Sequence, residues 1–164
     1  MSSKVLAYQN TLEERSDVVT FTSAPLMEPL RIAGPVSAML HVSTDAPDAG
    51  LVARITDVAP DGRSLMIQEG ALRLRYRDSF TDPKLMEPWV PVEAIVPMRD
   101  IAYQLKPGHR LRLSVSSSSF PRLERNLQTG GRNFDESQER SAEIRIHTGP
   151  EMPSRLLLFV LPAE

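Results

Sequence analysis

The sequence predicts an all-β fold, a sandwich of two antiparallel sheets. Three observations carry that reading. About ten short runs alternate apolar and polar residues at period two, no stretch shows the helical period, and turn-forming clusters separate the runs at regular intervals. Fourteen prolines against eight glycines fit many strand ends and turns rather than long helices. A chain of 164 residues holds one proper core and is short for two, so residues 1–164 are read as a single domain. Short strands of this number favour a jelly roll.

The elements follow in order. Residues 1–15 form a polar lead, and the first strand runs from Val18 to Thr22, closed by Ser23-Ala24-Pro25. Leu30 to Ala33 and Pro35 to Ser43 are expected as two strands split at Gly34; in the second, Val36, Ala38, Leu40 and Val42 share a face and His41 lies on the other. Thr44 to Gly50 is dense in turn formers, so a loop precedes the strand Leu51 to Val58. Pro60-Asp61-Gly62 then turns a hairpin into Ser64 to Gln68. Asp57 and Asp61 stand close enough to suggest a metal, although Asp at a hairpin tip ordinarily bonds backbone.

Gly70 to Arg77 is expected as a strand in which Leu72, Leu74 and Tyr76 alternate with Arg73, Arg75 and Arg77. Such a row of guanidinium groups is either a solvated face or one that meets acidic neighbours or a partner. Asp78 to Pro88 is irregular, and Trp89 to Val96 suits an edge strand because of Pro91. Asp100 to Leu105 leads to the turn Pro107-Gly108. From there Leu111, Leu113 and Val115 alternate with Arg110, Arg112 and Ser114, which makes one face apolar and the other wet. Phe120-Pro121 ends this strand, with Phe120 expected to plug the core. Residues 124–141 turn polar and read as a mobile loop, with a short helical turn near Glu136 to Arg140. Ala142 to His147 and Arg155 to Val160 are the last strands.

Composition narrows the function. Hydrophobic residues at 41% and charged residues at 24% describe a globular protein, and a net charge of −2 offers no general attraction to nucleic acid or an anionic membrane. The absence of cysteine removes disulfides and thiolate chemistry. No apolar run reaches signal-peptide or membrane-spanning length, so a cytoplasmic location is expected. No serine sits in a Gly-x-Ser-x-Gly elbow, and Ser116 to Ser119 read as a strand end whose hydroxyls bond backbone. Of the three histidines, His109 follows Pro107-Gly108 and is expected to pin that turn by bonding a carbonyl, while His41 and His147 lie in separate strands without ligand spacing. No catalytic residue, cofactor or metal is therefore expected.

Six motifs in order say more than the periodicity does. GHR at 108–110 leads through an alternating run to SSSSFPR and RN; before and after it stand SDVVTFTSAPL at 16–26, IAGPV at 32–36, ITDVAPDGRS at 55–64, EGALRLRYRDS at 69–79 and IHTGPEMPSRLLLFV at 146–160. Together they cover about four-fifths of the chain, and they resemble the C-terminal β-domain of X-Pro dipeptidyl-peptidases, cocaine esterases and related acyl-ester hydrolases. DAGL at 48–51 stands where the family has DTDF-like residues.

The resemblance implies a galactose-binding-like jelly roll that packs on an α/β-hydrolase domain and helps wall its pocket. The catalytic triad of that family belongs to the hydrolase domain, so no catalytic residue carries over. Arg110, Arg122, Arg125 and Asn126 match the family pattern; with Arg73, Arg75 and Arg77 they are candidates for a domain interface, or else they hold the long loop internally. Gly108, His109, Phe120 and Pro121 are taken as the structural motif of the turn and strand end. Two alternatives stand beside this reading. One is a carbohydrate-binding module, thinly supported by 5% aromatic residues and the single Trp89; the other is a free-standing β-domain that self-associates.

Overall fold

The computed structural model describes residues 8–132 and 134–162. Among them a helix of one turn, α1 (Asn10–Glu13), precedes the strands β1 (Val19–Thr22), β2 (Leu30–Thr44), β3 (Gly50–Val58), β4 (Ser64–Arg73), β5 (Val92–Pro97), β6 (Ile101–Leu105), β7 (Arg110–Ser116), β8 (Ile144–His147) and β9 (Arg155–Val160). All named pairings are antiparallel. One sheet has the order β1-β7-β3-β4. The other is built on β2, whose residues pair with β6 and then β5 along one edge, and with β9 and then β8 along the other.

The two sheets enclose one core. The predicted face of β2 is there, since Val36, Ala38, Leu40 and Val42 are all buried, and they meet Leu51, Ala53 and Ile55 of β3 with Leu113 and Val115 of β7. Removing a branched side chain of this kind from water contributes about 1.5–3 kcal/mol each. β3 departs from alternation because every one of its residues is buried. Both of its faces are covered, which period-two patterning does not report.

Two expected breaks are bridged. Gly34 does not end a strand: at φ +127 it forms an irregularity inside β2, where the register to β9 shifts between Ile32 and Val36 and Phe159 lies against the open glycine. β4 likewise runs unbroken through Gly70, with a shift opposite Ile55 and Thr56. A third expectation fails in the other direction, because the strand stops at Arg73 and Leu74–Tyr76 wind into a 3-10 turn. Leu74 is fully buried by that turn. The Pro60-Asp61-Gly62 hairpin forms as expected, with Gly62 at φ +86 and its N–H donating to Ala59 O at 2.9 Å.

The supposed wet face of β7 is covered. Ser114 is fully buried, and Arg112 reaches the Glu13 carboxylate of α1 at 2.6 Å. Glu13 also accepts from Ser64 Oγ at 2.8 Å and Thr56 Oγ1 at 3.2 Å, so the end of the polar lead is docked across the outer face of the first sheet. The helical turn expected near Glu136 to Arg140 is absent from that irregular stretch. Among the described residues no helix is long and apolar enough to cross a membrane.

Candidate domain interface

The arginines expected to form one row serve different tasks. Arg73 is half-buried and pairs with Glu124 at 3.2 Å. Arg75 points inward, where its Nε meets the fully buried Asp48 at 2.6 Å and its backbone N–H donates to the same carboxylate at 3.0 Å. Arg77 turns back to donate to the carbonyls of Leu74 at 3.0 Å and Lys84 at 2.8 Å. The strand alternation that would have aligned them ends at the 3-10 turn, so no continuous guanidinium face exists.

Asp48 is the node that sequence reasoning missed. It accepts Asn126 Nδ2 at 2.8 Å besides the two bonds from Arg75, and Arg75 Nη1 continues to Gly131 O at 2.9 Å. The start of β3, the 3-10 turn and the polar loop are thereby tied to one buried charge. That loop has further internal ties: Arg125 pairs with Glu139 at 3.0 Å, Arg140 with Asp45 at 2.9 Å, and Thr129 Oγ1 donates to Glu136.

A second buried pair lies on the outer face of the first sheet. Arg54 of β3 meets Glu69 of β4 at 2.5 Å and donates to Ser116 Oγ at 2.9 Å. Burial, with Arg122 nearby, pulls the Arg54 guanidinium down to about 10. Arg122 reaches the same Glu69 from the loop, and Ser119 Oγ donates to it at 3.2 Å. The signal for this pair was the arginine inside the otherwise apolar run LVARI, a charge that a covered strand can hold only with a partner. Arg110 lies apart and donates to Ser23 O at 3.0 Å.

The serine run divides its work. Ser118 Oγ accepts from the Phe120 N–H, while Ser116 and Ser119 belong to the Arg54–Glu69 cluster. Phe120, expected as a core plug, is instead 68% exposed at a cis Phe120-Pro121 bond, with the Arg125 guanidinium 6.0 Å from its ring centre. Between α1 and this corner lies a cleft of about 580 Å³.

His109 pins the turn by a different partner than expected. Its Nδ1 lies 2.7 Å from Asp57, a carboxylate rather than a carbonyl, and the Tyr103 hydroxyl donates to the other oxygen of Asp57 at 2.9 Å. Asp57 faces inward at the end of β3 and so needs both partners. Burial and the bond to Asp57 push the Tyr103 phenol up to about 12. Gly108, at φ +79, makes the turn that delivers His109 and donates to Leu26 O at 2.8 Å. Asp61 pairs with Arg63 at 2.7 Å, away from Asp57 in bonding.

His41 and His147, apart in the sequence, are register partners between β2 and β8. His147 Nε2 lies 2.9 Å from Ser43 Oγ, but that serine is buried within a strand and lacks the exposed turn a nucleophile requires. Trp89 carries the Arg145 guanidinium 3.9 Å from its ring centre, so one face of the sole tryptophan is already stacked.

Comparison with known proteins matches this arrangement closely. The family of X-Pro dipeptidyl-peptidase C-terminal non-catalytic domains matches residues 1–157. The cocaine esterase of Rhodococcus sp. (strain MB1 Bresler) is 38% identical over 157 residues, which are 94% of this chain and 27% of the esterase. An α-amino acid ester hydrolase superposes with a TM-score of 0.90 at 33% identity, over 94% of this chain and 27% of its own. An aminopeptidase from a marine sediment Thaumarchaeota archaeon superposes with a TM-score of 0.87 at 31% identity, over 95% and 28%. The chain thus spans about a quarter of the length of these relatives. A β-sandwich held by internal charge nodes, without a nucleophile elbow and matched along nearly its whole length, belongs to the family of X-Pro dipeptidyl-peptidase C-terminal non-catalytic domains.

Proposed function

We propose that the chain acts as the β-domain of a serine ester or peptide hydrolase, packing on an α/β-hydrolase domain and helping to shape its substrate pocket. The observation that carries this is proportion: the unit is matched at 94% of its own length to only 27% of an esterase. The chemistry of the whole then resides elsewhere, and a domain of this kind contributes stability and pocket walls. The corner with exposed Phe120, Arg122 and Arg125 supplies an aromatic anchor and guanidinium groups beside a cleft, the side-chain types enriched at interfaces. Arg73, paired with Glu124 of the adjoining loop, is a further candidate, and Arg110 is a candidate apart from this corner. A cytoplasmic location is part of the same proposal.

A domain exchange tests it. The matching segment of the α-amino acid ester hydrolase is replaced by this chain, and the chimera is assayed for folding and ester turnover. A folded chimera that retains kcat and changes KM is expected, because the reacting groups stay in place while one pocket wall differs. A folded chimera with no turnover, or full activity after deletion of the β-domain altogether, contradicts the proposal.

A further inference from the structure

Two imidazoles and a carboxylate stand in one row on the outer face of the β2-centred sheet. His41 of β2 is opposite Glu93 of β5 on one side and opposite His147 of β8 on the other. Register partners share a face. It is the outer face, because Leu40 and Val42, on either side of His41, point into the core. Spacing along the chain conceals the set, since each member comes from a different strand.

The middle ring is short of partners. Among the described residues His41 Nδ1 is buried without a hydrogen bond, and Nε2 lies 3.7 Å from Glu93 Oε2, too far for one. Buried polar atoms are ordinarily paired. Two donors that share a tetrahedral zinc at about 2.0–2.2 Å stand roughly 3.3–3.6 Å from each other, so the gap beside Glu93 is nearer to that of a shared ion than to a hydrogen bond. His147 is held from behind, with Nε2 2.9 Å from Ser43 Oγ. With Ser43 accepting the Nε2 proton, the lone pair of the ring lies on Nδ1, the pattern of an imidazole oriented for a metal by an outer partner. One hydroxyl also fixes the two backbones that carry the rings: Ser154 Oγ accepts from the His41 N–H at 2.9 Å and donates to His147 O at 2.7 Å.

We propose that Glu93, His41 and His147 bind one divalent transition-metal ion of the zinc class, which ties β5, β2 and β8 together. Two imidazoles and a carboxylate are a donor set that zinc accepts, with its fourth position left to water. Among the described residues no three such groups already surround one point, so binding includes a rotamer change. Glu93 is half exposed and His147 only partly buried, which leaves both side chains room to turn. Two cations stand near the row. Arg145 is stacked on Trp89 and paired with Glu143 at 2.9 Å, and Arg155 is the register partner of Met39, one step along the same face. Both are exposed and therefore screened by salt. The binding needs no hydrolase domain, so it stands or falls separately from the function proposed above.

Calorimetric titration of the chelator-washed chain with zinc chloride, with the ring NMR signals of its three histidines followed on the same samples, decides the matter. The expected result is one zinc per chain with a Kd below about 100 µM, and ring signals of His41 and His147 that shift while those of His109 stay. His41→Gln, His147→Gln and Glu93→Gln should each weaken binding by at least about tenfold. Asp61→Asn, at the hairpin tip, should leave it unchanged. Amide exchange along β8 should slow as zinc binds, because the ion holds that short strand to β2. The ring signals of the unmodified chain suffice if a variant fails to fold. Binding weaker than the expected Kd overturns the proposal; so does uptake that leaves the His41 and His147 rings unmoved, or that persists undiminished in their variants.

Discussion

Asp48 carries more of the structure than its place in a turn-forming run suggests. Its carboxylate is fully buried and takes three bonds, two from Arg75 and one from Asn126. Asp48→Ala would leave the Arg75 guanidinium buried without its counter-charge, a loss of about 3–5 kcal/mol, read as a lower urea midpoint. A loss within 1 kcal/mol or so would mean that the polar loop is held elsewhere. Tyr103 gives a residue-level prediction in pH. Its pKa is 10.0 unperturbed and about 12 in the fold, so between these values the folded chain keeps a proton that the unfolded chain releases. The stabilisation is complete below pH 10.0 and fades as pH rises towards about 12. Tyr103→Phe should be less stable at neutral pH and should show a shallower decline over that window, measured by thermal melts. Position in the sequence pointed to His109 as a turn-pinning residue; its partner Asp57, 52 residues away, did not follow from local pattern.

Elements were readable wherever polar side chains alternated with apolar ones along the strand. β2 and β7 have core rows that follow alternation, because each pleat sends successive side chains to opposite sides. β3 hid its organisation behind uniform burial, and the pair Arg54–Glu69 with it. The Arg73 to Arg77 stretch misled for a further reason: alternation of Leu, Arg and Tyr is compatible with a strand, but burying Leu74 required the chain to wind at that point. Glycines marked possible breaks without saying which kind. Gly70 is needed for space alone, so Gly70→Ala must displace the end of β5 and should cost about 1–3 kcal/mol. Denaturant unfolding checks this, and an unchanged midpoint would show that β5 can shift freely.

At the scale of the molecule, the prediction concerns chemistry. The chain by itself should hydrolyse neither chromogenic short-chain esters nor X-Pro dipeptide anilides, because none of its serines stands in a Gly-x-Ser-x-Gly elbow, and Ser43, Ser116 and Ser119 lie in a strand or in the Arg54–Glu69 cluster. Activity that persists through repurification and is abolished by a serine-directed inhibitor would contradict this. The fold accounts for the family match without any such site: an apolar layer between two sheets, one charge node at the loop, another on the outer face and the Asp57–His109–Tyr103 tie across one end.

By itself the sequence determined the all-β class, most strand positions, the family and the want of a nucleophile elbow. These depend on local periodicity, turn chemistry and contiguous motifs, all of which lie within a few residues of one another. Tertiary structure alone decided that Arg75 faces Asp48, that Glu13 covers the polar side of β7, and that Phe120 stands outside the core. The reason is physical: a charge or an aromatic ring takes its role from groups that folding brings to it across tens of residues, and alternation records which face a side chain occupies but not what lies on that face.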